Sequence, residues 1–157
     1  MKHDKCGTPD CCQECGPIQT KLNRYVQILS NIEDDQDKYV WIMEFGKNSL
    51  PMDEEHKAPS FEVKGCQTQT WLVPHFVDYK IYFTADSAAL ISKGMVCLIA
   101  DVYSGSSVKD IEDFDQDEFN VLKLDTLLTP GRNNGVHSML KKIKKYASNF
   151  NNFINAT

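Results

Sequence analysis

The sequence lacks any long hydrophobic run. Its longest mostly apolar stretch, Gly94 to Ala100, is far too short to cross a bilayer. An excess of basic charge is missing too: 17 Lys and Arg stand against 22 Asp and Glu, a net charge of −5. General nucleic-acid binders carry a basic domain, so that class is excluded. Met1–Gly16 is polar and has no apolar signal-peptide core. Cysteine is scarce in the body of the chain: of six, only Cys66 and Cys97 lie beyond residue 15. A secreted disulfide scaffold would spread its cysteines through a small fold and carry a leader. The expectation is a soluble cytoplasmic protein, with neither a membrane nor a nucleic acid among its partners.

What is present is ordinary for one globular domain. The chain has 157 residues, of which 41% are hydrophobic and 25% charged. At that length roughly 70% of the unfolded surface can be buried. Ile18, Leu22, Tyr25, Val26 and Leu29 recur at helical spacing from Pro17 to Ser30, with Pro17 suited to a first turn. A second helix starts at Asp34 or Asp35, either able to cap it, and ends near Gly46. Ser49–Ser60 holds two prolines and an acidic run and reads as a loop.

The period then changes to two. Phe61–Lys64, Gln69–Phe76 and Tyr79–Ala85 read as consecutive strands. Their links are too short for crossover helices, so the sheet is expected to be antiparallel. Pro74 places its strand at an edge or a bulge. A broadly apolar helix is expected from a cap at Asp86 or Ser87 to Tyr103, carrying Leu90, Ile91, Met95, Leu98, Ile99 and Val102. Ser107–Asp110 and Asp115–Glu118 have capping-box spacing. Thr129 and Pro130 open a last helix, with Val136, Met139, Leu140 and Ile143 inward. The fold class is α+β: a three-stranded antiparallel sheet packed against helices. The domain division is a cysteine-rich flexible tail at 1–16, one domain at 17–147 and a frayed end at 148–157.

Cys66 lies in the turn between two expected strands, in V-K-G-C-Q-T-Q-T-W. A hairpin tip holds a thiol away from the core, and Gly65 permits a backbone that other residues resist. Cys97 falls on the core helix and reads as a buried, inert thiol. His75 and His137 have no catalytic partner at close spacing and read as structural or exposed. Cys6, Cys11, Cys12 and Cys15, with His3 nearby, could bind a thiophilic metal. Their spacing matches no standard knuckle, and an oxidisable tail is the simpler reading. The acidic cluster Asp110–Glu118 and the lysines of the last helix read as solvated faces.

The stretch G-C-Q-T-Q-T-W-L at 65–72 resembles the active-site segment of the SufE family, G-C-Q-S-Q-V-W-L. Further blocks match in order: Y-V-W-I-M-E-F-G-K-N-S-L-P at 39–51, F-T-A-D-S-A-A-L-I-S-K-G at 83–94, V-Y-S-G at 102–105 and L-T-P-G-R-N-N-G at 128–135. The resemblance runs from about Ile18 to Tyr146. It implies a sulfur acceptor and activator of a PLP-dependent cysteine desulfurase of the SufS type. Cys66 would carry persulfide sulfur toward a downstream Fe–S scaffold. No cofactor is expected in this chain, since PLP belongs to the partner. The chain is then a sulfur-transfer accessory rather than a stand-alone enzyme.

By the same resemblance Arg132, Gln67, Gln69 and Asn134 contact the partner or stabilise the thiolate. Arg132 also lies in the first turn of a helix, whose dipole favours anions. The chain departs from the family pattern at Ala88, where an Asp is usual, and at Gly131, where a Ser is. Two other functions remain open at this level: a desulfurase-binding regulator that transfers no sulfur, and a metal- or cluster-binding protein using the N-terminal cysteines.

Overall fold

The computed structural model describes residues 16–156; the N-terminal tail with Cys6, Cys11, Cys12 and Cys15 lies outside them. Helix α1, Gly16–Ser30, buries Ile18, Leu22, Tyr25 and Leu29, the residues its periodicity puts on one face. Helix α2, Asp35–Lys47, is capped by Asp34, whose carboxylate accepts from the Gln36 amide. Two single 3₁₀ turns, Glu54–His56 and Pro59–Phe61, interrupt the loop that follows.

Strand β1, Thr70–Val77, and strand β2, Lys80–Ser87, form an antiparallel hairpin with Thr70 opposite Ser87 and Val77 opposite Lys80. Asp78 and Tyr79 turn it with φ of 52° and 65°, the conformation that matches strand twist in a tight hairpin. β1 is an edge strand, which accommodates Pro74 and its missing donor. Helix α3 is Leu90–Tyr103, and the third strand, β3, is only Ser106–Ser107, beside β2. Short helices α4, Val108–Asp113, and α5, Leu124–Leu127, flank a 3₁₀ segment at Gln116–Leu122. The long helix α6, Pro130–Ala156, closes the chain.

Several sequence expectations need correction. Phe61–Lys64 is not a strand: it contributes one bridge, Glu62 to Trp71. The sheet's third member is β3, too short to show any alternation. Asp86 and Ser87 do not cap α3, because β2 runs on through both; Ala89 precedes the helix and offers no side-chain cap. Leu90, counted among the apolar residues of the expected core helix, is 49% exposed. Helix α6 runs past Ser148 to Ala156, and Phe150 stacks on Phe76 at 4.0 Å. The caps at Ser107 and Asp115 form as read, accepting from the Asp110 and Asp117 amides.

One face of the hairpin sets Leu72, Ile81, Phe83 and Ala85 into the main core with α3. On the other, Trp71 and Val73 are covered by Met52 and Phe61 from the loop. Asp86, 7% exposed, anchors that covering: Lys57 of the loop and Lys93 of α3 reach its carboxylate at 3.5 and 3.6 Å. Lys57 also lies over the Trp71 ring, 5.5 Å from its centre. Helix α3 is central, tied to α1 by Tyr25, whose hydroxyl donates to Asp101 at 2.5 Å, and crossed closely by α2. A side-chain carbon at Gly94 would overlap the Ile42 carbonyl, and one at Gly46 would sit 2.5 Å from the Gly94 nitrogen.

The obstacle at Gly94 is backbone and cannot rotate away. Gly94→Ala is therefore expected to destabilise the protein by about 3 kcal/mol despite alanine's better helix propensity. Urea unfolding checks this; an unchanged or higher midpoint would contradict the close crossing.

Candidate functional site

The Cys66 loop joins the Glu62–Trp71 bridge to the start of β1. It is closed at its base by the Val63 amide, which donates to the Thr70 carbonyl at 2.7 Å. Gly65 takes φ 93°, and a side chain there would also meet Ser138 Oγ at 2.5 Å. Both the dihedral and the space demand glycine.

The loop lies on the first turns of α6, and glycine again sets the distance. Cys66 Sγ donates weakly to the Gly135 carbonyl at 3.8 Å. A β-carbon on Gly135 would stand 3.2 Å from that sulfur, and one on Gly131 would overlap the Gln67 side chain. Gly131 and Gly135, four residues apart on one helix face, form a smooth seat for the loop. The departure from the family pattern at Gly131 thus coincides with the place where Gln67 rests.

Cys66 is half-buried. Burial pushes its thiol up, the Glu62 carboxylate adds to that, and the hydroxyl of Thr70 works in the opposite direction. Arg132 sits in the first turn of α6, where its amide meets Thr129 Oγ1 at 3.3 Å. Its guanidinium Nη1 donates to Ser92 Oγ of α3 at 2.5 Å. Gln67, Gln69 and Asn134 are exposed, Gln67 over Gly131 and Asn134 at the surface one residue before Gly135. Structure therefore gathers Cys66, Gln67 and the α6 glycines directly, and brings Arg132 in through Ser92.

Sequence reasoning missed the hydroxyl residues under the loop, Thr68, Thr70, Ser87 and Ser92. Small hydroxyl side chains carry no spacing signal of their own. The glycine seat did have one, a G-x-x-x-G spacing at 131–135, legible only once the segment is known to be helical. Cys97 is buried on α3, its Sγ 3.6 Å from the Ala85 carbonyl, and burial raises its thiol as well. His75 meets Thr84 on the sheet's outer side at 3.0 Å and His137 is exposed. Among the described residues, no three His, Cys, Asp or Glu side chains gather as metal ligands, and no helix is long and apolar enough to cross a membrane.

Comparison with known proteins bears on this arrangement. Residues 23–147 match the SufE model, the Fe-S metabolism associated domain. The chain is 34% identical over 129 residues to the cysteine desulfuration protein SufE of Wigglesworthia glossinidia brevipalpis, covering 81% of this chain and 89% of that one. It is 33% identical over 131 residues to SufE-like protein 1, chloroplastic/mitochondrial, of Arabidopsis thaliana. That match covers 83% of this chain but only 35% of the plant protein. A solution structure of a hypothetical protein from Thermus thermophilus shares the fold, with a TM-score of 0.68, 15% identity, and coverage of 82% of this chain and 94% of that one. The loop carrying Cys66 and the first turns of α6 beneath it lie inside the matched region, and the chain belongs to the SufE family, whose domain is associated with Fe–S metabolism.

Proposed function

We propose that this chain accepts sulfur on Cys66 from a PLP-dependent cysteine desulfurase and passes it on to iron–sulfur cluster assembly. One observation carries the reading: Cys66 stands on a surface loop, half-covered, with its sulfur against the Gly135 carbonyl rather than sealed in the core. The name of the Wigglesworthia relative, a cysteine desulfuration protein, supports the same chemistry.

The transfer is a thiol exchange. The Cys66 thiolate attacks the outer sulfur of the donor's persulfide. A new bond forms between Cys66 Sγ and that sulfur, the donor's S–S bond breaks, and the donor cysteine leaves as a thiolate. The proton of the terminal sulfur travels with it, leaving Cys66 as a persulfide, and nothing is oxidised or reduced overall. Burial keeps the resting thiol neutral, which protects it from adventitious oxidation. The exposed Gln67, Gln69 and Asn134 form the rim that a partner's surface would meet, with Arg132 behind them.

Two outcomes follow. Cys66→Ser is expected to abolish stimulation of desulfurase turnover while the fold is retained. Full stimulation by the serine variant would instead describe a regulator that transfers no sulfur. Because burial raises the Cys66 thiol, its thiolate fraction is low at neutral pH and grows as pH climbs beyond the ordinary thiol range. Alkylation of the Cys66 peptide should therefore keep accelerating above about pH 8.5, the usual thiol value, and should precede that of Cys97. A plateau already at neutral pH would refute the raised thiol.

A further inference from the structure

Helix α6 carries charge of one sign only. From Thr126 to the end the sequence holds Arg132, Lys141, Lys142, Lys144 and Lys145 and no Asp or Glu, in a chain whose net charge is −5. Lysines near a helix C-terminus complement its dipole, but that effect fades within the last turn. Since α6 runs on to Ala156, Lys141–Lys145 stand mid-helix, out of its reach. Lys141 and Lys145 are also like charges four residues apart, an arrangement that opposes helix formation. Lys144 turns toward α4 and donates to the Glu112 carbonyl at 3.1 Å. Among the described residues, Lys141, Lys142 and Lys145 have no carboxylate partner. Neither helix stability nor ion pairing accounts for them.

Their position relates them to Cys66. Asn134, Ser138, Lys141 and Lys145 recur at i, i+4, i+7 and i+11 and form one strip along the helix. A side chain on Gly65 would meet Ser138 Oγ at 2.5 Å, so the strip starts under the Cys66 loop and continues past it. Lys142, one turn beyond Ser138, lies beside the strip, its Nζ 3.4 Å from the Ser60 carbonyl and 5.1 Å from the centre of the Tyr146 ring. Lys64, immediately before Gly65, adds a fourth ammonium; it is 77% exposed and 3.8 Å from Glu62. Burial, then Lys145 and Lys64, hold the Lys142 ammonium below its usual range, as expected of cations crowded together. Along the helix, Gly135 and Lys145 are separated by about 15 Å at ~1.5 Å per residue. A protein interface of ordinary size covers roughly 800 Å² on each partner, a disc about 16 Å in radius. A partner centred on Cys66 therefore reaches these lysines.

We infer that Lys64, Lys141, Lys142 and Lys145 form a basic docking edge beside Cys66 that receives an acidic surface bordering the donor cysteine of the desulfurase. This rests on the reading of Cys66 as the sulfur acceptor. The lysines touch no reacting atom; they steer and orient the partner, which acts on the association rate more than on residence time. A small anion is a poorer occupant, because Lys141 and Lys145 are exposed on a convex helix surface. The acidity of the whole chain disfavours a nucleic acid.

The test is surface plasmon resonance between the full chain and a PLP-loaded cysteine desulfurase that it stimulates, at low and at physiological ionic strength. Lys141→Glu combined with Lys145→Glu should slow association about ten-fold at low salt and change dissociation less than about two-fold. Added salt should slow the parent and leave the double variant nearly unmoved. Lys141→Arg combined with Lys145→Arg should restore the parent rate, and alkylation of Cys66 by iodoacetamide should be equal in all three proteins. An association rate untouched by charge reversal overturns the proposal. So does a slowing that salt does not erase or that arginine fails to rescue, which would mark a packing role. Slower binding to a single-stranded oligonucleotide with unaltered binding to the desulfurase also overturns it, and assigns the edge to a nucleic acid. Cys66→Ser should associate as the parent does, because docking needs no sulfur transfer, so the two readings fail separately.

Discussion

The close crossing of α2 over α3 is the constraint on which the rest of the structure depends. Gly94 lets the Ile42 carbonyl come to the surface of α3, and Gly46 lies against the backbone on the other side. With the helices this near, α3 can be surrounded: α1 and α2 against it, the hairpin across it, and α6 alongside. Almost every residue of α3 is buried in consequence. Its N-terminal end is thereby held where Ser92 can take the guanidinium of Arg132, and Lys93 can reach Asp86. A contact between backbones far from the sulfur thus determines where the site's polar groups stand.

The site repeats the same device on a smaller scale. Gly131 and Gly135 clear one face of α6, and the Cys66 loop lies on it. Glycine in a helix costs up to about 1 kcal/mol relative to alanine, and here two are spent within one turn. What they provide is proximity, a thiol held against a carbonyl and shielded from bulk water. Shielding has a chemical consequence, because it disfavours the thiolate that any sulfur exchange needs. The Thr70 hydroxyl acts in the opposite direction, with burial the larger effect, so the site favours a protected resting thiol.

Much of this was legible beforehand, for identifiable reasons. Helices α1 and α6 announce themselves because their apolar residues recur at the helical period and are bounded by Pro17 and by Thr129–Pro130. The hairpin follows from alternation at Ile81 and Phe83, and the edge position of β1 from Pro74. The failures have a common cause in long-range pairing. Phe61–Lys64 alternates like a strand but finds a single bridge, whereas Ser106–Ser107 has no pattern and pairs with Lys80 and Ile81 because the chain returns there. Asp86 looks like a cap in sequence; its two lysine partners come from positions 57 and 93, which no local rule connects. Within the site, Cys66 stood out by family resemblance and turn position. The hydroxyls of Thr70 and Ser92 did not, since small hydroxyl side chains carry no spacing signal of their own.

The central claim is that Cys66 accepts sulfur, and mass spectrometry of the whole protein after incubation with a cysteine desulfurase and free cysteine tests it most directly. The account predicts one additional sulfur atom, localised to the Cys66 peptide and removed by reductant. Sulfur found only on Cys6–Cys15, or none at all with a desulfurase shown to be active on this chain, would contradict it.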